Sequence, residues 1–159
     1  SSNSNQGSDI VRAFHFVEHI DRPPRDVWNA LTDLSVASRW RPLVASMETV
    51  DGQPLREGSD VRLTVDVYGK RITRVSRTTT FDPPRRWTLR SSESPAMEGF
   101  FDFVLAPDGS GTRIEATCDL KAHGFLPWLF MPLIARGERM RRIEMLSNLK
   151  RFVEGRPLP

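Results

Sequence analysis

Little in this chain could close a disulfide, hold a metal or cross a membrane. Its single cysteine, Cys118, excludes an internal disulfide and suits a reducing compartment, so a cytoplasmic location is expected. His15, His19 and His123 form no ligand cluster at zinc spacing, and no metal or other cofactor is expected. The most apolar run, Gly124 to Ala135, is far shorter than the roughly 20 residues of a membrane helix, and it contains Pro127 and Pro132. There is no Gly-x-Ser-x-Gly elbow, phosphate-binding glycine loop or dinucleotide fingerprint. No serine or cysteine can be matched to a base by local sequence. Neither sign of charge dominates: 23 Lys and Arg face 20 Asp and Glu, for a net charge of +3. The two signs are interspersed, which points to solubility and away from a nucleic-acid partner.

What remains is one domain's worth of alternating strands and a helical end. Ser1 to Ser8 is polar without an aliphatic residue, so residues 1–9 read as a disordered leader, 10–155 as a single domain and 156–159 as a tail. Ile10 to Ile20 alternates as a strand and ends at Asp21-Arg22-Pro23-Pro24. Arg25 to Thr32 follows as a short helix, with Val27, Trp28 and Leu31 at helical spacing, and Val36 to Trp40 as a second, halted by Pro42. Six strands come next: Val44 to Val50, Val61 to Tyr68, Arg71 to Phe81, Trp87 to Ser91, Met97 to Ala106 and Arg113 to Leu120. The turns between them carry Asp51-Gly52, Gly69, Asp82-Pro83-Pro84 and Pro107-Asp108-Gly109-Ser110-Gly111. Short turns between neighbours predict an antiparallel meander.

Leu126 to Glu154 has no strand alternation and reads as one long helix. Leu129, Leu133, Met140 and Ile143 form an apolar stripe, and Arg136 falls on it. A core-facing guanidinium needs an anion, a ligand or a wet cavity, so the stripe is expected to cover a pocket; the alternative is that Arg136 snorkels out past the helix edge. A one-sided sheet must bury its apolar face, and this helix is the large partner available. The expected fold is α+β: a curved antiparallel sheet wrapped around one long C-terminal helix, with two short helices after the first strand.

Several stretches resemble a known family. They are Ile20-Asp21-Arg22-Pro23-Pro24 with Val27-Trp28 and Leu31-Thr32-Asp33, then Trp40-Arg41-Pro42 and Phe81-Asp82-Pro83-Pro84-Arg85-Arg86. Gly109-Ser110-Gly111-Thr112-Arg113 and Leu146 to Glu154 complete the set. In order and spacing they resemble the START-related, helix-grip superfamily called SRPBCC, within it the polyketide cyclase/dehydrase-like group. The resemblance spans roughly Val11 to Glu154. It implies a helix-grip fold and a hydrophobic ligand, such as a lipid, sterol, polyketide or quinone, held between sheet and helix. The matching residues set turns and packing, and none is a catalytic signature.

In such a fold the concave sheet face and the inner helix stripe enclose the cavity, and strand parity supplies the lining. Glu18 shares its parity with Phe14, Phe16 and Ile20, so it either points inward, toward Arg136, Arg74 or cavity water, or swings out on a bulge. On the fourth strand, Arg74, Ser76 and Thr78 oppose Val75, Arg77 and Thr79; comparison with the family's turn at Asp82-Pro83-Pro84 favours the first set facing inward. Trp40, Val65, Trp87, Met97, Phe101, Phe103, Leu133 and Met140 would supply the apolar wall, or would be plain core. Arg139, Arg141 and Arg142 are spread around the helix and read as a solvated face.

Three functions remain open. The first is binding of a hydrophobic small molecule with a polar group, held by Arg136 and Arg74. The second is a polyketide cyclase, aromatase or dehydratase with Glu18 as its acid or base. The third is an interaction module: Leu126 to Ile134 is apolar all round, which marks a lid, a partner surface or a peripheral membrane contact. Oligomeric state is not legible.

Overall fold

The structure is a computed structural model that describes residues 10–94 and 97–159; the expected leader lies outside them. β1 (Ile10–Ile20) runs into α1 (Pro24–Thr32), a 3-10 turn (Leu34–Val36) and α2 (Ala37–Trp40). Then come β2 (Val44–Thr49), β3 (Asp60–Val67), β4 (Lys70–Asp82), β5 (Arg86–Ser94), β6 (Met97–Asp108) and β7 (Gly111–Ala122). The chain closes with α3 (Phe125–Leu129) and α4 (Met131–Val153). The seven strands form one curved antiparallel sheet in the order β1-β7-β6-β5-β4-β3-β2. Only the β1 to β2 connection leaves the hairpin pattern, because α1 and α2 carry the chain from one sheet edge to the other.

Period-2 alternation decides which face is buried. On β7, Ile114, Ala116, Cys118 and Leu120 are buried, while Arg113 is exposed and Glu115, Thr117 and Asp119 are half-buried. Phe101, Phe103 and Leu105 on β6 extend the same face, as do Trp87 and Leu89 on β5. The outer face carries ion pairs across neighbouring strands, among them Arg77 with Asp60, Arg71 with Asp66 and Arg86 with Asp102. The Arg77 hydrogen bond holds the Asp60 carboxyl below the usual carboxylate range, and Arg71 does the same for Asp66. At the β1 end the sheet comes so close to β7 that a Cβ on Gly111 would lie 2.6 Å from the Ile20 carbonyl oxygen. Only glycine fits there.

The C-terminal segment is two helices, a correction to the single helix expected from Leu126 to Glu154. Pro132 has no N–H to give to Trp128, so an unbroken helix would lose a bond there; the chain bends at Phe130 and Pro132 opens the first turn of α4. The buried stripe of α4 also differs from the expected one. Met131, Met145, Leu146 and Leu149 are buried, whereas Leu133 and Met140 are 70% and 65% exposed and Arg136 is exposed. α4 therefore presents its Met131, Glu138, Met145 and Leu149 side to the protein. Leu146 and Leu149 are fully buried, each contributing roughly 1.5–3 kcal/mol by area.

Candidate functional site

A pocket of about 120 Å³ lies between the sheet and the middle of α4, opening where Leu43 and Arg141 reach solvent. β3 supplies Val61, Leu63, Val65 and Val67, β4 supplies Arg74 and Ser76, and β5 and β6 supply Leu89, Ser91, Phe101 and Phe103. The register explains their convergence: Leu63 sits opposite Arg74, Val61 opposite Ser76, and Ser76 opposite Ser91. α4 closes the top with Glu138, Arg141, Arg142 and Met145. The segment after α2 adds Arg41, Pro42 and Leu43. Leu43 has φ 64, a left-handed conformation that costs a branched residue about 1–2 kcal/mol, and its side chain stands half out of the pocket mouth.

Arg41 is the unusual group. Its side chain is only 8% exposed, and its guanidinium carbon stands 4.6 Å from the Trp40 ring centroid and 6.0 Å from that of Trp87. Nη1 donates to the Met145 thioether at 3.8 Å, while Nε and Nη2 have no hydrogen-bond partner among the described residues. Burial, and secondarily the charge of Arg142, push its pKa down to about 9. Arg142 lies 4.3 Å from the Phe101 ring centroid and donates to the same Met145 sulfur at 3.6 Å. Glu138, the one carboxylate on the pocket wall among the described residues, pairs with Arg141 at 3.5 Å and Arg142 at 3.7 Å. Two guanidinium groups thus converge on one neutral, weak acceptor.

Of the residues singled out in the sequence, Val65, Arg74, Ser76, Phe101 and Phe103 meet at this pocket. The others stand elsewhere. Trp40 and Trp87 are packed core beneath it, and Thr78 is buried there too, accepting the Trp87 Nε1–H at 3.2 Å. Met97 packs half-buried against the core, outside the pocket wall. Leu133, Arg136 and Met140 lie on the outward side of α4, because Met131, Met145 and Leu149 hold the other phase of the helix against the protein.

Glu18 does share the inward parity of β1, but its partner is Lys150 Nζ at 3.4 Å, near the C-terminal end of α4. Arg136 is almost four turns earlier, about 21 Å along the axis, so Glu18 and Arg136 do not meet. Glu18 is not on the pocket wall either.

Sequence reasoning missed Arg41 and Arg142. Arg41 was visible only as part of a turn motif, Trp40-Arg41-Pro42, and Arg142 only as one of several scattered arginines. A usable signal existed: Glu138 and Arg142 are four apart and share a face with Met131, Met145 and Leu149.

A curved sheet gripping a C-terminal helix over a partly polar pocket defines a helix-grip domain. The chain belongs to the family described as polyketide cyclase / dehydrase and lipid transport, which matches residues 13–154. Among solved structures, the crystal structure of Ara h 8.0201 aligns with a TM-score of 0.76 at 16% identity, over 92% of this chain and 99% of that one. TTHA0849 from Thermus thermophilus aligns at 0.71 with 22% identity, over 89% and 96%. The Zhui aromatase/cyclase from Streptomyces sp. R1128 aligns at 0.71 with 20% identity, over 91% and 94%. Such identities show a shared fold and nothing more. No curated protein matches the sequence. Among the described residues no helix is long and apolar enough to cross a membrane.

Proposed function

We propose that this chain binds a hydrophobic small molecule carrying a polar group, a lipid or an aromatic, isoprenoid or polyketide-like compound, in the pocket between sheet and α4. The carrying observation is the composition of the pocket wall: aliphatic and aromatic side chains from four strands, interrupted by a few convergent polar groups. The family, polyketide cyclase / dehydrase and lipid transport, and the aromatase/cyclase among the structural neighbours support a ligand of this kind. Binding without turnover is favoured over cyclase chemistry. Glu18, the acid–base candidate, is held by Lys150 away from the pocket, and Glu138 is tied to two arginines. The test is titration with the neutral fluorophore N-phenyl-1-naphthylamine. Val65→Trp, which fills the pocket from β3, is expected to weaken it by roughly tenfold or more with the circular dichroism spectrum unchanged. Undiminished binding would place the ligand elsewhere.

A second reading concerns the outer surface of α3 and the start of α4. Phe125, Leu126, Trp128, Leu129, Phe130 and Leu133 are all more than half exposed, and the exposed Arg136 and Arg139 follow directly. An apolar ridge bordered by cations fits an anionic lipid surface. Co-sedimentation with phosphatidylglycerol-containing vesicles is expected, with little on phosphatidylcholine alone, and with loss in the Trp128→Ser, Leu133→Ser double variant. Equal recovery of that variant with the vesicles would remove this reading.

A further inference from the structure

Arg41 is a charged side chain buried at the pocket with no counter-charge among the described residues. Among the described residues, the charged groups that share the pocket wall with Arg41 are the cations Arg74, Arg141 and Arg142 and one carboxylate, Glu138, which Arg141 and Arg142 engage. The acceptor that Arg41 and Arg142 share is a thioether, which accepts weakly and carries no charge. The two Arg41 donors left over, Nε and Nη2, are the pair this protein uses to grip carboxylates elsewhere. Arg77 holds Asp60 through Nε and Nη2 at 2.9 and 3.0 Å, Arg86 holds Asp102 at 3.0 and 2.8 Å, and Arg71 holds Asp66 at 2.9 and 3.2 Å. On Arg41 the same pair is shielded from solvent and empty-handed.

We propose that the pocket is selective for apolar carboxylic acids: the ligand carboxylate displaces the Met145 side chain from between Arg41 and Arg142 and uses the Arg41 N–H groups that have no acceptor. This rests on the proposed pocket and adds the chemical class of its occupant. Several features make the exchange physically reasonable. Methionine has three rotatable bonds and moves at small cost. The planar guanidinium fork matches a carboxylate with two parallel bonds, which a phenol, ketone or alcohol cannot offer. The Trp40 and Trp87 rings, 4.6 and 6.0 Å from the Arg41 guanidinium carbon, favour a cation there without using its N–H groups as carboxylates do. The low-dielectric setting strengthens the resulting pair. Phe101 and Phe103 then lie where the apolar body of the acid would follow its head.

The test compares 1-naphthoic acid, ionised at neutral pH, with its neutral isostere 1-naphthamide, each displacing N-phenyl-1-naphthylamine. The intact protein is expected to prefer the acid by roughly thirtyfold, the worth of charge-assisted hydrogen bonds in a dry site. Arg41→Met is expected to bring the acid within about threefold of the amide, both measured against that variant's own affinity for the neutral probe. Arg41→Lys keeps the charge and loses the fork, so it should retain only part of the preference; it also serves if the methionine variant does not fold. Equal displacement by acid and amide in the intact protein would overturn the carboxylate site and leave the apolar pocket standing. A preference for the acid that survives in both Arg41 variants would move the site to another cation and overturn it equally. Failure of the neutral probe to bind the intact protein would overturn the pocket reading itself, and this proposal with it.

Discussion

Arg41→Met is expected to raise the melting temperature of the ligand-free protein. Arg41 is buried without a counter-ion among the described residues, so its charge has lost hydration and gained little in return. Replacing such groups by apolar side chains of similar volume commonly stabilises by about 1–4 kcal/mol. The loss of the stacking on Trp40 and Trp87 offsets part of this, by about 0.5–2 kcal/mol. A net gain of about 1–2 kcal/mol remains, or roughly 2–8 °C for a chain of this size. The pH dependence gives an independent check. Because the fold pushes the Arg41 pKa down to about 9, the unfolded chain binds that proton more tightly than the folded one does. The penalty is therefore fully present below pH 9 and is relieved as pH rises from there toward the ordinary arginine value. The advantage of Arg41→Met in melting temperature should shrink over that window. A variant less stable than the parent at neutral pH would show that Arg41 is satisfied in the fold, and that no ligand is needed to account for it.

Such a trade of stability for a site is a common arrangement in binding proteins. It also explains why the site was harder to read than the fold. The turns, the β7 alternation and the Pro23-Pro24 helix start are local signals, and local signals survive in a single sequence. β4 shows the limit: with hydroxyls and cations on both parities, Arg74 and Ser76 could be assigned inward only by comparison with the family. α4 shows it again. Its first half is apolar on several sides, with Leu133 and the neighbouring Phe125, Leu126, Trp128 and Leu129 of α3 more than half exposed, so periodicity there could not identify the buried phase. The phase is set further along, by Met145, Leu146 and Leu149, where the helix meets β1. Extrapolating back from those residues puts Glu138 and Arg142 inward and Arg136 outward. The charges on the buried phase of α4 are thus Glu138 and Arg142, one phase away from Arg136.

Trp87→Ala is expected to cost about 3–5 kcal/mol, the range for truncating a large aromatic in a packed core. The sequence left Trp87 open as a pocket residue or as core, and the two roles predict different numbers. Its ring is fully buried, 6.0 Å from the Phe103 centroid, and its Nε1–H donates to Thr78, which is also buried. Truncation removes these contacts, leaves the Thr78 hydroxyl short of a partner and opens a void under Arg41 that the sheet cannot close. A domain of this kind has about 5–15 kcal/mol in total, so the variant should unfold at a much lower urea midpoint with an unchanged slope. Val65→Ala, on the half-buried pocket wall, should cost about 1 kcal/mol or less. The contrast is what decides. A Trp87→Ala protein that loses ligand affinity but stays within about 1 kcal/mol of the parent would mean that Trp87 packs on the ligand rather than on the core. The pocket would then extend through the Trp87 layer, and Arg41 would lie in its middle instead of at its floor.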